Sequence, residues 1–161
     1  MEKQFVGFEI SNCKYCIDIM EVKEVVKKQT ITALPDAPYF VEGLMNLRGI
    51  IIPVISLKKK LEVSAKEESD EDSTKKAEKG DKLVIVNIEG VLVGFEVEKL
   101  DRVFSIDSNQ IQATDRILED SVDKSLIQGA IKIENSIYLI LNTKKILDLE
   151  ERSFIEQKVI E

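Results

Sequence analysis

Two features of the sequence could carry chemistry. The first is Cys13-Lys14-Tyr15-Cys16, a C-x-x-C spacing shared by zinc sites and thiol-redox motifs. A zinc site needs about four ligands, and this chain has no third cysteine and no histidine. A redox C-x-x-C belongs at the strand-to-helix step of a βαβ pattern, whereas this pair falls in a predicted hairpin. The cysteines read as two reduced thiols, with a redox role as the competing reading. The missing histidine also removes the commonest general base and metal ligand, and no Gly-rich phosphate loop is present. No catalytic residue, metal site or cofactor is expected.

The second feature is Arg48, set within the otherwise apolar stretch VEGLMNLRGIIIPVISL, residues 41–57. Asn46 to Gly49 is predicted as a tight turn, with Gly49 free to take positive φ. An arginine lifted out on such a turn is a structural ion pair or part of a binding surface.

Strands must carry these residues. Apolar and polar residues alternate over Phe5–Ile10 and Tyr15–Ile19, with Ser11-Asn12 between them. Lys82–Ile88 and Val91–Val97 flank Glu89-Gly90, a hairpin signal, and Ala130–Ile133 and Ile137–Leu141 flank Asn135-Ser136. Asp36 to Gly43 has the acid, early proline and closing glycine of a short helix. Phe154, Ile155, Val159 and Ile160 predict a C-terminal helix over 149–161. Residues 63–81 hold no aromatic, leucine or isoleucine and are predicted as a flexible charged loop. Pro53 lacks a donor, so its strand is expected at an edge or at a bulge.

The chain has 161 residues, 43% hydrophobic and 33% charged, room for one domain with a sizeable core or two very small ones. Thirty acids against 23 bases give a net charge of −7, which repels phosphate backbones, so no nucleic-acid partner is expected. No apolar run approaches the ~20 residues of a membrane span. A strand pattern starts almost at Met1, where a signal peptide would stand. A cytoplasmic protein without membrane insertion is the expectation.

The two halves are alike. At an offset of 78, Phe8, Ile10, Ile17, Ile19, Val22 and Val25 fall on Val86, Ile88, Phe95, Val97, Leu100 and Val103; at 86, Gly43, Val54 and Leu61 fall on Gly129, Ile140 and Leu147. This is an internal duplication with eight extra residues in the second copy. Each copy holds about five short strands, the content of a small barrel. The predicted fold is mainly β: two packed barrels from approximate halves 1–62 and 82–148, with a groove between them and short helices.

The stretch APYFVEGLMNLRGIIIPVISLKKKL resembles the central motif of the CheW family of chemotaxis coupling proteins. YCIDIMEVKEVV resembles the segment that precedes it there, and VLVGFEVEKLDRVFSI a later one. The likeness runs from Phe5 to about Leu149, and Asn46-Leu47-Arg48-Gly49 is its most specific piece. It implies a single CheW-like domain of two SH3-like five-stranded barrels. It also implies a non-enzymatic adaptor between the cytoplasmic tips of methyl-accepting chemoreceptors and the histidine kinase CheA, engaging the kinase's own CheW-like regulatory domain at receptor arrays near the inner membrane. The implied partner-binding residues are Glu24, Val25, Asn46, Arg48, Gly49, Leu92 and Val93, with Glu24 the acid expected near Arg48. Burial in a strand is the competing reading for Leu92 and Val93, and solvation for Glu24 and Val25. The charged loop is longer than the family pattern suggests. A CheW-like module of another signalling protein, or a generic β-barrel peptide binder, are the alternatives.

Overall fold

The computed structural model describes residues 2–61, 81–112 and 126–146. The first half supplies β1 (Glu2–Ile10), β2 (Cys13–Asp18), β3 (Val22–Lys27), β4 (Ile31–Thr32), β5 (Val41–Leu47) and β6 (Ile50–Ser56), then helix α1 (Leu57–Leu61). The second supplies β7 (Lys82–Ile88), β8 (Val91–Val97), β9 (Lys99–Asp107), β10 (Ile111–Gln112), β11 (Ile127–Ile133) and β12 (Ser136–Leu141), then helix α2 (Thr143–Ile146). Of the expected charged loop over 63–81 only Asp81 is described, and the expected C-terminal helix over 149–161 lies outside the described residues.

The strands form two six-stranded sheets, ordered β10-β11-β12-β2-β1-β9 and β3-β7-β8-β6-β5-β4. Exchange each strand in the first order for its duplicate and it becomes the second, read backwards. The parallel pairs correspond as well, β12 beside β2 and β6 beside β8. The duplication seen in the sequence is therefore a duplication of topology.

The division of the chain differs from the one expected. Each half gives its opening hairpin to the other half's sheet: β1 and β2 lie among β9–β12, and β7 and β8 among β3–β6. Their two-sided apolar character explains the interior places these hairpins take. On β7, Leu83 and Ile85 face one core while Val84, Val86 and Ile88 face another, all at 0–1% exposure. A strand with no polar face belongs in the interior of a sheet covered on both sides. Each sheet also holds six strands rather than five, the extra ones being the two-residue β4 and β10.

Three apolar clusters result. The largest lies between the sheets, where Phe8, Ile10, Tyr15 and Ile17 of one meet Ile55, Val84, Val93 and Phe95 of the other. Each sheet then folds over its own smaller cluster: Phe5, Ile131, Tyr138 and Ile140 in one, Leu83, Met45, Ile52 and Val54 in the other. These four pairs are the duplication partners, in that order. Gly43 and Gly129 are partners too, and for a steric reason. A Cβ on Gly43, at φ +145°, would sit 2.2 Å from the Thr32 carbonyl oxygen, and one on Gly129 would sit 2.9 Å from Ile111. In each copy β4 or β10 crosses so closely that only hydrogen fits.

One local expectation is corrected, and a second holds in only one of its two forms, a bulge rather than an edge. Residues 36–43 form no helix: Asp36 takes φ +61°, the chain turns through Tyr39-Phe40, and β5 begins at Val41. Phe40 is buried at 2% and its carbonyl accepts from Ser56 N at 2.8 Å, so tertiary contacts override the helix signals. Pro53 is not on an edge strand, because β6 lies between β8 and β5. The ladder to β8 begins at Val54, just past the proline, and the β5 ladder shifts register opposite Val54 and Ile55.

Candidate functional site

The hairpin joining β5 to β6 turns in two residues, with Leu47 opposite Ile50. Gly49 takes φ +88°, as its type predicts, and Arg48 takes φ +52°. Positive φ at both central residues is what a tight hairpin of the right twist requires, although arginine rarely adopts it. Asn46 holds the turn, its Oδ1 accepting from Gly49 N at 2.7 Å.

From this turn the Arg48 guanidinium reaches Glu24 on β3 through two parallel hydrogen bonds, 2.8 Å to Oε2 and 2.7 Å to Oε1. Three strands lie between β3 and β5 in the sheet order, so a flat sheet would hold them about 19 Å apart, four spacings of roughly 4.8 Å. The contact exists because the sheet curls, bringing β3 within side-chain reach of the β5–β6 turn. Arg48 and Glu24 clasp that curl. The Arg48 hydrogen bonds hold the Glu24 carboxyl below its usual range, partial burial opposes this, and the charges of Arg48 and Lys23 assist. The same contact raises Arg48 further. The Arg48 side chain remains 67% exposed while Glu24 is at 30%.

The residues expected at the site do not all gather here. Glu24, Asn46, Arg48 and Gly49 meet at one end of the curled sheet, and exposed Ile50 and Ile51 follow the turn. Leu92 is half-buried against the cluster of Met45, Leu47 and Ile52 inside that end. Val25 is exposed on the opposite face of β3 from Glu24, as strand alternation dictates. Val93 has no exposure and belongs to the core between the sheets, so it reaches no surface.

The Glu89-Gly90 hairpin was expected, but its likeness to the Arg48 turn was not. Asn87-Ile88-Glu89-Gly90 repeats the device of Asn46-Leu47-Arg48-Gly49: Asn87 Oδ1 accepts from Gly90 N at 2.7 Å, and Glu89 and Gly90 take φ +51° and +94°. Because β6 and β8 run parallel, both turns stand at the same end of the sheet. The shared Asn-x-x-Gly spacing was the available signal.

The cysteines do not form a working pair. Residues three apart on a strand point to opposite faces: Cys13 is exposed, while Cys16 is buried, its thiol pushed far up by burial and, secondarily, by Asp18. Among the described residues no cluster of three or more metal-ligating side chains occurs, and no helix is long and apolar enough to cross a membrane.

Fold and site together define a duplicated β domain with one exposed end that carries a complete ion pair beside apolar side chains. Comparison with known proteins gives its family. The chain matches the CheW-like domain over residues 4–151. It is 31% identical to the chemotaxis protein CheW of Treponema pallidum (strain Nichols), over 92% of this chain and 84% of that one. It is also 31% identical to that of Thermotoga maritima, over 91% and 89%. The crystal structure of the scaffolding protein TtCheW from Thermoanaerobacter tengcongensis superposes with a TM-score of 0.76 at 31% identity, covering 94% of this chain and 91% of that one. The chain belongs to the CheW-like family, whose members include chemotaxis scaffolding proteins.

Proposed function

We propose that this protein is a cytoplasmic chemotaxis scaffold that couples methyl-accepting receptors to the histidine kinase CheA and supports control of kinase activity, doing no chemistry and binding no cofactor. The Arg48–Glu24 clasp carries the reading. Its ion pair is complete within the chain, yet it stands at an exposed end beside Ile50 and Ile51, where it offers a partner both a rigid arginine and apolar contact. Holding two partners at once takes two surfaces, which a duplicated fold supplies. Glu24, Asn46, Arg48, Gly49 and Leu92 form the proposed docking end, Val25 borders it on the outer face, and Val93 supports it from the core.

The test is a pull-down of the purified chain with a receptor signalling domain and, separately, with the kinase's CheW-like regulatory domain. Capture of both is expected. Binding to neither ends this reading.

A further inference from the structure

The exchange of hairpins leaves each sheet with two joints between the halves of the chain. One joint is antiparallel and long: β3 lies against β7 over residues 22–27 and 82–86, and β1 against β9 over residues 2–9 and 99–107. The other is parallel and short, β6 against β8 over residues 54–56 and 94–96, and β12 against β2 over residues 138–140 and 14–16. Parallel ladders are also slightly the weaker per residue. At these two parallel seams an inserted hairpin is held least by its backbone.

A glutamate stands just past each seam. Glu98 directly follows β8, and Lys58 lies in α1, directly after β6. Glu98 Oε2 is 3.3 Å from Lys58 Nζ, and Glu98 Oε1 accepts from Ser11 N in the β1–β2 turn at 2.9 Å. One carboxylate of the second half thus grips two pieces of the first. Past the other seam, Glu21 ends the 3₁₀ turn Ile19–Glu21 that follows β2, and Thr143 opens α2 after β12. Thr143 is 2% exposed, and its Oγ1 donates to Glu21 Oε1 at 2.8 Å. The two ties are not copies of each other. The counterparts of Glu98 and Lys58 are Met20 and Lys144, and Met20, 87% exposed, offers no acid. The counterparts of Glu21 and Thr143 are Lys99 and Leu57, which cannot reproduce that bond. Inheritance alone would have put both ties at the same positions. A tie remade one residue away points to a need that both seams share.

We propose that Glu98 and Glu21 are locks on the two parallel seams, each holding the hairpin of one half in the sheet of the other. Each sits at the end of the inserted hairpin and reaches across to the helix that follows the neighbouring strand. Each uses a carboxylate, the acceptor of the stronger hydrogen bonds. They are positioning residues, and they act by keeping the seam from opening locally while the rest of the sheet stays formed. Nothing in this inference depends on the function proposed above.

Native-state amide hydrogen exchange, read by NMR on the whole chain, tests this. Glu98→Ala removes the first lock, and Thr143→Val, which keeps the shape of the side chain, removes the second. In Glu98→Ala, exchange at residues 54–56 and 94–96 should quicken by about tenfold, the change that loss of a hydrogen bond to a charged group brings, while residues 138–140 and 14–16 keep their rates. In Thr143→Val the two seams should trade places. The β5–β6 and β7–β8 hairpin ladders should be unaffected in both. Lys58→Met, which leaves the Ser11 bond intact, and Glu21→Ala stand in for either variant that does not fold, read in the same way. Unchanged rates at the unlocked seam, or equal acceleration at both seams, overturn the proposal. So does acceleration shared by every strand, since that reports only a loss of global stability.

Discussion

Arg48 combines a rare backbone with a complete ion pair, and the two have separate consequences. Arg48→Ala removes the clasp but also a side chain that is mostly exposed, so the melting temperature should move by no more than about 4 °C. Partner capture should fall by about tenfold or more, since arginine at an interface contributes through geometry as well as charge. Arg48→Lys should restore only part of that binding, because an ammonium cannot reproduce two parallel hydrogen bonds. Unfolding of Arg48→Ala, or capture at the wild-type level, would return the turn to a purely structural role. Glu24 gives the same clasp a pH signature. Its carboxyl titrates lower in the folded chain than in the unfolded one, so its stabilising effect is present above the unfolded value of about 4.3 and is lost as pH falls through the folded one. Urea midpoints of wild type and Glu24→Gln should therefore differ at pH 7 and draw together as the pH falls below the usual carboxylate range. A gap that widens on acidification would contradict the assignment.

At the level of elements, the turns and strands show what periodicity can and cannot reveal. The hairpins over residues 5–19, 82–97 and 130–141 were readable from alternation and turn residues, and so was the turn that lifts out Arg48. The pairing with Glu24 rested on family resemblance, because the contact depends on how far a sheet curls, which no local pattern encodes. The Asp36–Gly43 helix failed for a related reason: Phe40 is drawn into the core, and burial of a large aromatic outweighs capping signals worth about 1 kcal/mol each. Val93 and Leu92 are neighbours on β8 with opposite fates, since alternation sends one to the core between the sheets and the other toward the clasp. Val93→Ala should thus cost about 2 kcal/mol of folding stability and leave binding at the clasp unchanged in the folded fraction. The two glycines near the site separate in the same way. Gly43→Ala collides with backbone, whereas at Gly49 nothing lies within 4 Å and only φ +88° resists a side chain. Denaturant titration should find Gly43→Ala much the more destabilised, and equal losses would mean that β4 does not press on that position.

For the whole molecule, the decisive fact is that neither half of the chain owns a sheet. The sequence showed the duplication clearly, position by position, but equal halves suggested equal, separate barrels. Exchange of the opening hairpins was invisible because a two-sided apolar strand reads the same in either sheet. The exchange has a consequence that separate barrels would not have. Residues 1–62 alone would hold β3–β6 without the β7–β8 pair that lies between β3 and β6, and would hold β1–β2 without β9 or β12 on either side. The core between the sheets would lose Val84, Val86, Val93 and Phe95, all at 0% exposure. Each fragment should therefore stay unfolded alone, with no cooperative transition in circular dichroism. Mixed or co-expressed, residues 1–62 and 82–161 should assemble as a one-to-one complex with the native spectrum, since each carries the hairpin the other lacks. Cooperative unfolding of the 1–62 fragment by itself would show that the first half closes on its own strands, and the exchanged topology would then be wrong.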